Sequence, residues 1–405
     1  MRNVDVSSGM KAGHCRMCGS KNVKIIIEGL KMATPVPYPL NGDMRLLNCA
    51  LCGFVGAETK SVTRDYEHYY THYNKHHSRE GMLADLDRSY FEKIFAFIET
   101  GTARAFDGAR VLDFGSGAKL LSEIAIKRGA SVASNFDLKV SADGKLFDII
   151  VSTHCFEHIF DFSTELARIH SMLSDDGVFC IAVPDIRGYS DYYYGPYNCF
   201  DLEHINHFDY KSLSEALRLN GFYPELVLES ERLVTATLAY PEVVILAKKV
   251  KSNLLQEIHF QSNRKPIETV LESYMSRSAK DLTATLMKAS EIFEANERDG
   301  VKAAYGIYGL SSYAFRILTR WDVTGIPLGW LADSDCRLAG KSILRKKIFD
   351  SEEFKKCVRS NMEHGIRTIC FVVAVNAHRI ETFLRGIGVE SLDVFILPPD
   401  CQNRN

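Results

Sequence analysis

The stretch Arg110-Val-Leu-Asp-Phe-Gly-Ser-Gly117 decides the fold, because a short apolar strand ends there in an acid and then breaks into two glycines. Glycine has no Cβ, so such a loop can lie flat against a ligand and the next helix can start close to the sheet. A diphosphate would be held by the helix amides, but here the carboxylate of Asp113 ends the strand. We therefore predict a cofactor loop, with Asp113, Gly115 and Gly117 as binding residues, for a ligand that is cationic or bears an amine.

The elements around this corner predict an open α/β sheet. The apolar spacing indicates helices over 87–100, 120–128 and 163–173, and strands over 130–136, 146–152 and 178–183. Asp137 ends the second strand, where a Rossmann-like fold binds ribose hydroxyls, so it is the ribose candidate. The nine residues 138–146 are too few for another helix and strand, since a crossover takes at least about ten to twelve residues before the strand is added. We predict a sheet that is short by one strand, which leaves open that the cofactor pocket is altered or lost.

The whole chain has the length and composition of a soluble protein with several domains. It has 405 residues, 46% of them hydrophobic and 25% charged, which fits two or three cores; we place domains at 1–80, 81–250 and 251–405. The net charge of −2 at pH 7 gives no reason to expect nucleic acid or an anionic membrane as a partner. The start lacks the apolar core of a signal peptide, and no apolar run approaches the roughly 20 residues of a membrane span. We expect a cytoplasmic protein and favour a monomer.

Two Cys-x-x-Cys hooks near the start predict a metal site. Cys15 and Cys18 are followed by Gly19, and Cys49 and Cys52 by Gly53. Two such hooks supply four thiolates for a tetrahedral Zn²⁺, and each glycine permits the tight turn that brings backbone amides to the sulfurs. With no vacant ligand position, this zinc is structural. The alternative is four unrelated buried cysteines.

Two polar segments are candidates for acid–base chemistry. The run 65–77 contains four tyrosines and four histidines, which either serve a polar substrate or belong to an exposed connector. Further along, Glu203 and His204 form a pair in a polar loop beside the predicted cofactor site. A histidine titrates near neutrality and a carboxylate raises its basicity, so the pair fits a general base; the alternative is a pair that only stabilises the loop.

The last third of the chain predicts a second sheet. The spacing over 250–296 indicates two amphipathic helices, and before them the glycine- and tyrosine-rich run 189–197 is not expected to be buried as a core element. A strand then enters a Gly-x-x-Gly turn at Gly309, and another strand ends at Asp333. These are parts of an open parallel sheet that either binds a nucleotide, with Tyr305, Ser311 and Asp333 as candidates, or has the fold without the ligand.

The order of these features resembles known families. The corner around Asp113 is similar to the first motif of class I S-adenosylmethionine (SAM) methyltransferases, and the strand, Glu-His pair, helix, Gly turn and strand over 146–183 follow in the same order. The resemblance implies a SAM cofactor and makes His154, Glu157 and His158 further cofactor-binding candidates.

The complete order, from about Cys15 to about Pro398, resembles the C-methyltransferases of nucleotide-linked keto-deoxysugars. That resemblance implies a nucleotide sugar as substrate, His204 as the base with Glu203 beside it, a contribution from Tyr70 or Tyr73, and a C-terminal domain that helps to hold the nucleotide. Asp201 and His207 are the substrate-binding candidates on the loop. The family's loop reads Tyr-His-Glu-His, whereas this chain reads Asp201-Leu-Glu-His204. An O- or N-methyltransferase, a SAM-free sugar isomerase and a sugar-binding protein are therefore the alternatives.

Overall fold

The computed structural model describes residues 13–73, 82–102, 106–115, 120–136, 146–235, 238–250, 262–374 and 377–397. The first part of the chain forms β1 (Val23–Lys31), β2 (Asp43–Cys49), β3 (Val55–Thr59), α1 (Thr63–His72), α2 (Met82–Thr102), β4 (Arg110–Phe114), α3 (Leu120–Lys127) and β5 (Val132–Phe136). The middle forms β6 (Phe147–Thr153), α4 (Phe162–Met172), β7 (Leu173–Pro184), a 3-10 turn (Ile186–Gly188), β8 (Asn206–His207), α5 (Tyr210–Leu219), β9 (Phe222–Leu233) and β10 (Ala239–Lys249).

The last part forms α6 (Ile267–Arg298), β11 (Ala303–Tyr308), α7 (Ser312–Leu318), a 3-10 turn (Trp321–Thr324), β12 (Leu328–Ala332), β13 (Ser342–Ile343), β14 (Lys346–Phe349), α8 (Ser351–Glu363), β15 (Arg367–Val372), α9 (Ala377–Arg385) and β16 (Leu392–Ile396). None of the helices in the described residues combines the length and the apolar character that a membrane crossing needs.

The central sheet has the strand order β5-β4-β6-β7-β10-β9. Strands β5, β4, β6 and β7 are parallel, and β10 runs antiparallel to both β7 and β9. Alternate residues point to opposite faces: Val111 packs with α2 and α3, and Leu112 packs with α4 and α5. Strand β5 is the edge strand among the described residues, which agrees with the predicted α/β fold and its shortened sheet.

A smaller sheet, β1-β2-β3-β8, joins the N-terminal part of the chain to the middle part. Its last strand comes from the loop predicted to hold the base: Val55 pairs with His207 and Gly56 with Asn206. Phe54 packs against Phe162 of α4, with ring centroids 5.5 Å apart. The cysteine-rich part is therefore attached directly to the central sheet and its loops.

The C-terminal sheet, β13-β14-β12-β11-β15-β16, is parallel except for β13. One apolar cluster runs from the N-terminal sheet through the middle loops and α6 to this sheet. The predicted domain boundaries at residues 80 and 250 stay a prediction.

Two sequence-based expectations are wrong. The described residues of 267–298 form one continuous helix of 32 residues rather than two, because the Met275–Asp281 stretch contains no glycine or proline to break it. The tyrosine-rich run is also buried: Tyr189, Tyr193 and Tyr194 are 1%, 5% and 7% exposed. Tyr193 finds a hydrogen-bond acceptor in Asp281 of α6 at 2.8 Å, so the hydroxyl of a buried ring is satisfied across the interface.

Candidate active site and thiolate cluster

The two cysteine hooks come together as one four-sulfur cluster. The Sγ atoms of Cys15 and Cys52, and those of Cys18 and Cys49, are each 3.6 Å apart, and all four lie within 4.8 Å of one another. A tetrahedral zinc with Zn–S bonds of about 2.3 Å separates its sulfurs by about 3.8 Å, so the spacing fits such an ion. The structure thus gathers the four predicted ligands around one point.

The glycine corner is tight. Gly115 has φ +86°, and a Cβ on it would lie 2.3 Å from the Sγ of Cys155, which follows β6. Asp113 is fully buried at the end of β4. The corner therefore brings the ends of β4 and β6 together, as parallel strands require at a ligand edge. Gly117 and Asp137, the other two predicted residues of this site, lie outside the described residues.

The segment after β6 carries three of the predicted cofactor residues. His154 has φ +49°, a left-handed conformation that is uncommon for a side-chain-bearing residue and typical of functional turns. Its Nδ1 lies 3.5 Å from Glu157 Oε1, and His158 Nε2 lies 3.8 Å from the same oxygen. The structure thus places two imidazoles around one buried carboxylate.

The loop 201–207 is clamped against this segment. Asp201 Oδ1 accepts the amides of Glu203 and His204 at 3.0 and 2.8 Å, which fixes the turn. The carbonyl oxygen of Glu157 accepts the amides of the next two residues, Ile205 and Asn206, at 2.9 and 3.0 Å. His204 is therefore carried on a loop whose backbone is held at both ends.

His204 lies beside His158 and Glu157. The ring centres of the two histidines are 4.7 Å apart, and one nitrogen of each ring and one Glu157 oxygen all lie within 4.8 Å of one another. The Nδ1 atoms differ: that of His158 lies 3.1 Å from the carbonyl oxygen of Glu203, whereas that of His204 is buried without a hydrogen-bond partner among the described residues. A backbone carbonyl can only accept, so His158 donates from Nδ1 and its neutral form keeps Nε2 as an acceptor.

Electrostatics keep Glu157 ionised. Burial by itself raises the pKa of this carboxyl, but the charge of His158 and the hydrogen bond from His154 outweigh it and lower the pKa to about 2. One oxygen, Oε2, is buried without a partner among the described residues. An ionised carboxylate at this position favours a protonated imidazole beside it.

One face of α1 covers the cluster with tyrosines. The Tyr69 hydroxyl donates to Glu203 Oε1 at 2.5 Å, and the Tyr70 ring lies 5.9 Å from the His158 ring. The Tyr70 hydroxyl is buried and makes no hydrogen bond within the described part of the chain. Tyr73 points elsewhere: Lys341 of the C-terminal part donates to its hydroxyl and lies 3.9 Å from its ring. Tyr70 is therefore at the cluster, and Tyr73 is at the contact with the C-terminal part.

Sequence reasoning missed the carboxylate behind His154. Glu242 of β10 is 1% exposed and accepts from Tyr90 at 2.9 Å and from Ser230; His154 Nε2 lies 3.0 Å from it. Burial raises the pKa of Glu242, but His154 and the hydroxyl donors lower it more. The signal was a lone acid in the apolar run Glu242–Ala247, because a buried acid needs partners. Tyr69 was missed for a different reason: the periodicity did not fix which tyrosines of α1 face inward.

The remaining predicted substrate residues are dispersed. His207 is buried, with Nδ1 3.1 Å from the Tyr189 hydroxyl, and burial lowers its pKa to about 3. Tyr305 packs in the core of the C-terminal part, with its ring 5.3 Å from that of Phe293. Ser311 caps α7 and donates to a backbone carbonyl at 2.9 Å. Asp333 accepts the amides of Leu310 and Asp335. The structure thus gathers Glu157, His158, Glu203, His204 and Tyr70, and leaves the three C-terminal candidates at another sheet.

Comparison with known protein families gives a match over the central sheet. Residues 86–227 match the family described as a methyltransferase domain. This match spans the central sheet, which therefore has the fold of a methyltransferase domain. No curated protein matches the chain in a sequence search.

Among solved structures, the methyltransferase domain is similar to 1,6-didemethyltoxoflavin-N1-methyltransferase from Burkholderia thailandensis (16% identity, 54% of this chain, 100% of that chain, TM-score 0.36). It is also similar to a SAM-dependent methyltransferase from Mesorhizobium loti (17% identity, 38% of this chain, 98% of that chain, TM-score 0.30). A third similar structure is magnesium protoporphyrin IX methyltransferase from Synechocystis PCC 6803 (11% identity, 46% of this chain, 95% of that chain, TM-score 0.31). These similarities are too distant to indicate a substrate.

Proposed function

We propose that this methyltransferase methylates a carbon next to the carbonyl of a nucleotide-linked keto-deoxysugar, with His204 as the general base. The observation that supports the proposal is the cluster of the half-buried His204 and His158 with the buried Glu157 at the carboxyl edge of the central sheet. The resemblance of the whole chain to keto-deoxysugar C-methyltransferases supplies the substrate class.

The residues at this edge fit SAM. Gly115 lets the loop lie against Cys155, which a Cβ would prevent, and the hydroxyl of Ser152, near the end of β6, is buried without a partner among the described residues. Asp113 would hold the cationic or amine-bearing part of SAM through a charge-assisted hydrogen bond. When bound, SAM supplies an electrophilic methyl group.

The carbon acid needs a base that can take up a proton and stay charged. A neutral His204 can remove the proton next to the ketone, which leaves an enolate whose carbon is nucleophilic. Glu157, ionised and with an oxygen within 4.8 Å of one His204 ring nitrogen, stabilises the imidazolium that results. A positioned general base of this kind contributes roughly 10²- to 10⁴-fold.

The tyrosines of α1 are arranged to orient the sugar and exclude water. Tyr69 holds Glu203 at 2.5 Å, so that carboxylate is fixed on the side of the loop facing α1. The buried hydroxyl of Tyr70 is a donor beside His158, and burial raises its pKa well above the ordinary value, so it stays protonated. We assign to Tyr70 the role of a donor to a substrate oxygen. Asp333 is not part of the proposed site, because both of its oxygens accept backbone amides.

The four thiolates are proposed to bind a structural Zn²⁺. The sulfur spacing of 3.6 Å fits a tetrahedral ion, and four cysteines leave no position open for a substrate. The monomeric state, the absence of nucleic-acid and membrane partners and the cytoplasmic location stay predictions.

The test combines ligand binding with chemistry. Calorimetry with S-adenosylhomocysteine should show one site, and a panel of nucleotide-linked keto-deoxysugars with SAM should give a product heavier by one methylene. With S-adenosylhomocysteine in place of SAM, deuterium from D₂O should enter the position next to the ketone. No binding of S-adenosylhomocysteine at millimolar concentration favours the SAM-free isomerase or binding protein. Methyl transfer without any deuterium entry favours an O- or N-methyltransferase.

A further inference from the structure

Arg16 lies between the cysteines of the first hook, yet its side chain reaches the loop that carries His204. The guanidinium lies over two rings, with its Cζ 5.9 Å from the centre of Phe54 and 5.5 Å from the centre of Phe160. Its Nη2 donates to the carbonyl oxygen of Ile205, the residue after His204, at 2.5 Å. The thiolate cluster and the loop are thus joined by one side chain.

The same carbonyl is held from a second direction. The amide of Ala57 in β3 donates to the Ile205 carbonyl at 2.9 Å, and the next residues of the loop pair with β3 as strand β8. At Gly56 a Cβ would lie 2.8 Å from the Phe54 ring and 3.1 Å from Arg16 Nη2, so the guanidinium fills the available space. Ile205 is therefore fixed by two donors from the cysteine-rich sheet.

The charge of Arg16 also points to the thiolate cluster. Its Nη1 is buried without a hydrogen-bond partner among the described residues. A buried cation is costly unless an anion is near. Four thiolates on a divalent ion carry a net charge of −2, which supplies that anion.

We propose that Arg16 is a positioning residue that couples the thiolate metal site to the loop bearing the base. It is anchored by the negative charge of the metal cluster and sets the backbone at Ile205, and through it the place of His204 relative to Glu157. This assignment rests on the proposed function only for the role of His204. The cysteine-rich part then has a function in catalysis that does not require the metal to contact the substrate.

The first test needs no substrate. Hydrogen exchange followed by mass spectrometry on the zinc-loaded full chain compares peptides covering 201–207 with peptides covering β7. Replacing Arg16 by Met should make the 201–207 amides exchange about tenfold faster, as the loss of one hydrogen bond allows, with no change in β7. Replacing it by Lys, which keeps one donor, should give a smaller increase. The matched control is Arg45→Met, since Arg45 lies in the same sheet but pairs with Glu58 on the surface. Zinc content should stay at one per chain and the affinity for S-adenosylhomocysteine within twofold.

The second test uses a keto-deoxysugar that supports turnover. R16M should lower kcat about tenfold with KM changed less than twofold, since the backbone shift misplaces the base without removing a substrate contact. R16K, which keeps the charge but donates from a single nitrogen, should recover part of kcat, and R45M should match the parent.

Equal amide exchange rates over 201–207 in R16M and R45M overturn the proposal. A loss of zinc or of the folded state in both R16M and R16K overturns it as well, because Arg16 would then be a purely structural residue. If no sugar is turned over, the exchange comparison still decides whether Arg16 sets the loop, so failure of the proposed function is distinguished from failure of this coupling.

Discussion

The central and C-terminal sheets of this chain share a glycine turn and an acid at the end of a strand, but the side chains around these features differ. In both, a strand enters a glycine with positive φ, Gly115 at +86° and Gly309 at +91°, and an acid sits at the end of a parallel strand. In the C-terminal sheet that acid, Asp333, accepts two amides of its own loops, and Ser311 is used to cap a helix. A glycine and an acid at a strand end therefore do not by themselves make a site.

The central sheet differs because distant segments bring titratable groups to its edge. The loop with His204, the segment with Glu157 and the face of α1 with Tyr70 converge there, and each comes from a different part of the chain. The groups are buried but incompletely satisfied within the described residues, at Glu157 Oε2 and His204 Nδ1. Buried polar atoms are rarely left so without a ligand or water to meet them. The C-terminal sheet has such atoms as well, the Tyr305 hydroxyl and Trp330 Nε1 among them, so what distinguishes the central edge is the grouping of a carboxylate with two imidazoles.

The largest effect that separates the two sheets should come from His204→Asn. Loss of the base should lower kcat on the order of 10³-fold and leave the affinity for S-adenosylhomocysteine unchanged. The control is His364→Asn, an exposed histidine at the end of α8 beside the C-terminal sheet, which should not change kcat. Initial rates with the active sugar measure both. Retention of more than a tenth of the activity by the His204 variant removes the assignment of the base.

Acid should lower the free energy of unfolding through His207, which lies on the loop of the central sheet. Burial holds the pKa of His207 at about 3, whereas an unfolded chain binds this proton near pH 6.5, so between these values the unfolded state binds more protons. The free energy of unfolding should then fall by on the order of 3 kcal/mol for this group between pH 7 and pH 4. Urea unfolding at pH 7 and at pH 4 measures this difference, and the free energy of unfolding should change less with pH in His207→Asn than in the parent. An unchanged dependence would mean that His207 is protonated in the fold.

Much of this contrast was visible in the sequence, and some of it was not. The glycine corner, both cysteine hooks and the succession of strands and helices around the corner depend on residues close together in the chain, so spacing reveals them. The surroundings of His204 could not be read from proximity. Glu203 is its neighbour in sequence and accepts from Tyr69 through Oε1, whereas Glu157, 47 residues away, has an oxygen within 4.8 Å of one imidazole nitrogen each of His158 and His204. Adjacent side chains of a turn point in different directions, and periodicity does not apply there.

Contacts across long stretches of sequence explain the other misses. Glu242 and His154 are separated by 88 residues and meet because β10 pairs antiparallel with β7 beside β6. Arg16 meets Ile205 over 189 residues. Glu242 belongs to no motif, and Arg16 stands at a position of the first hook where the motif specifies no residue, so only the fold could reveal these partners.

Matched substitutions of the two acids should sharpen the contrast. Asp113→Asn should weaken S-adenosylhomocysteine binding about tenfold or more, the loss expected for a hydrogen bond to a charged group. Asp333→Asn should leave that affinity unchanged and cost about 1 kcal/mol of stability, since its amide can still accept from one of the two backbone donors. Calorimetry and urea unfolding give the two quantities. Equal losses of affinity in both variants would place a ligand at each sheet.

The smallest effect should come from the glycines themselves. Alanine at either position adds a similar cost of about 1 kcal/mol for the left-handed backbone, but the new Cβ meets different neighbours. At Gly115 it lies 2.3 Å from Cys155 Sγ, and at Gly309 it lies 2.8 Å from the flexible end of Ile380. Gly115→Ala should therefore be the more destabilising by about 1 kcal/mol, and Cys155→Ala should recover that difference in a double-mutant cycle measured by urea unfolding. A coupling near zero would mean that the strand ends of the central sheet separate easily, and that the corner owes its shape to the backbone alone.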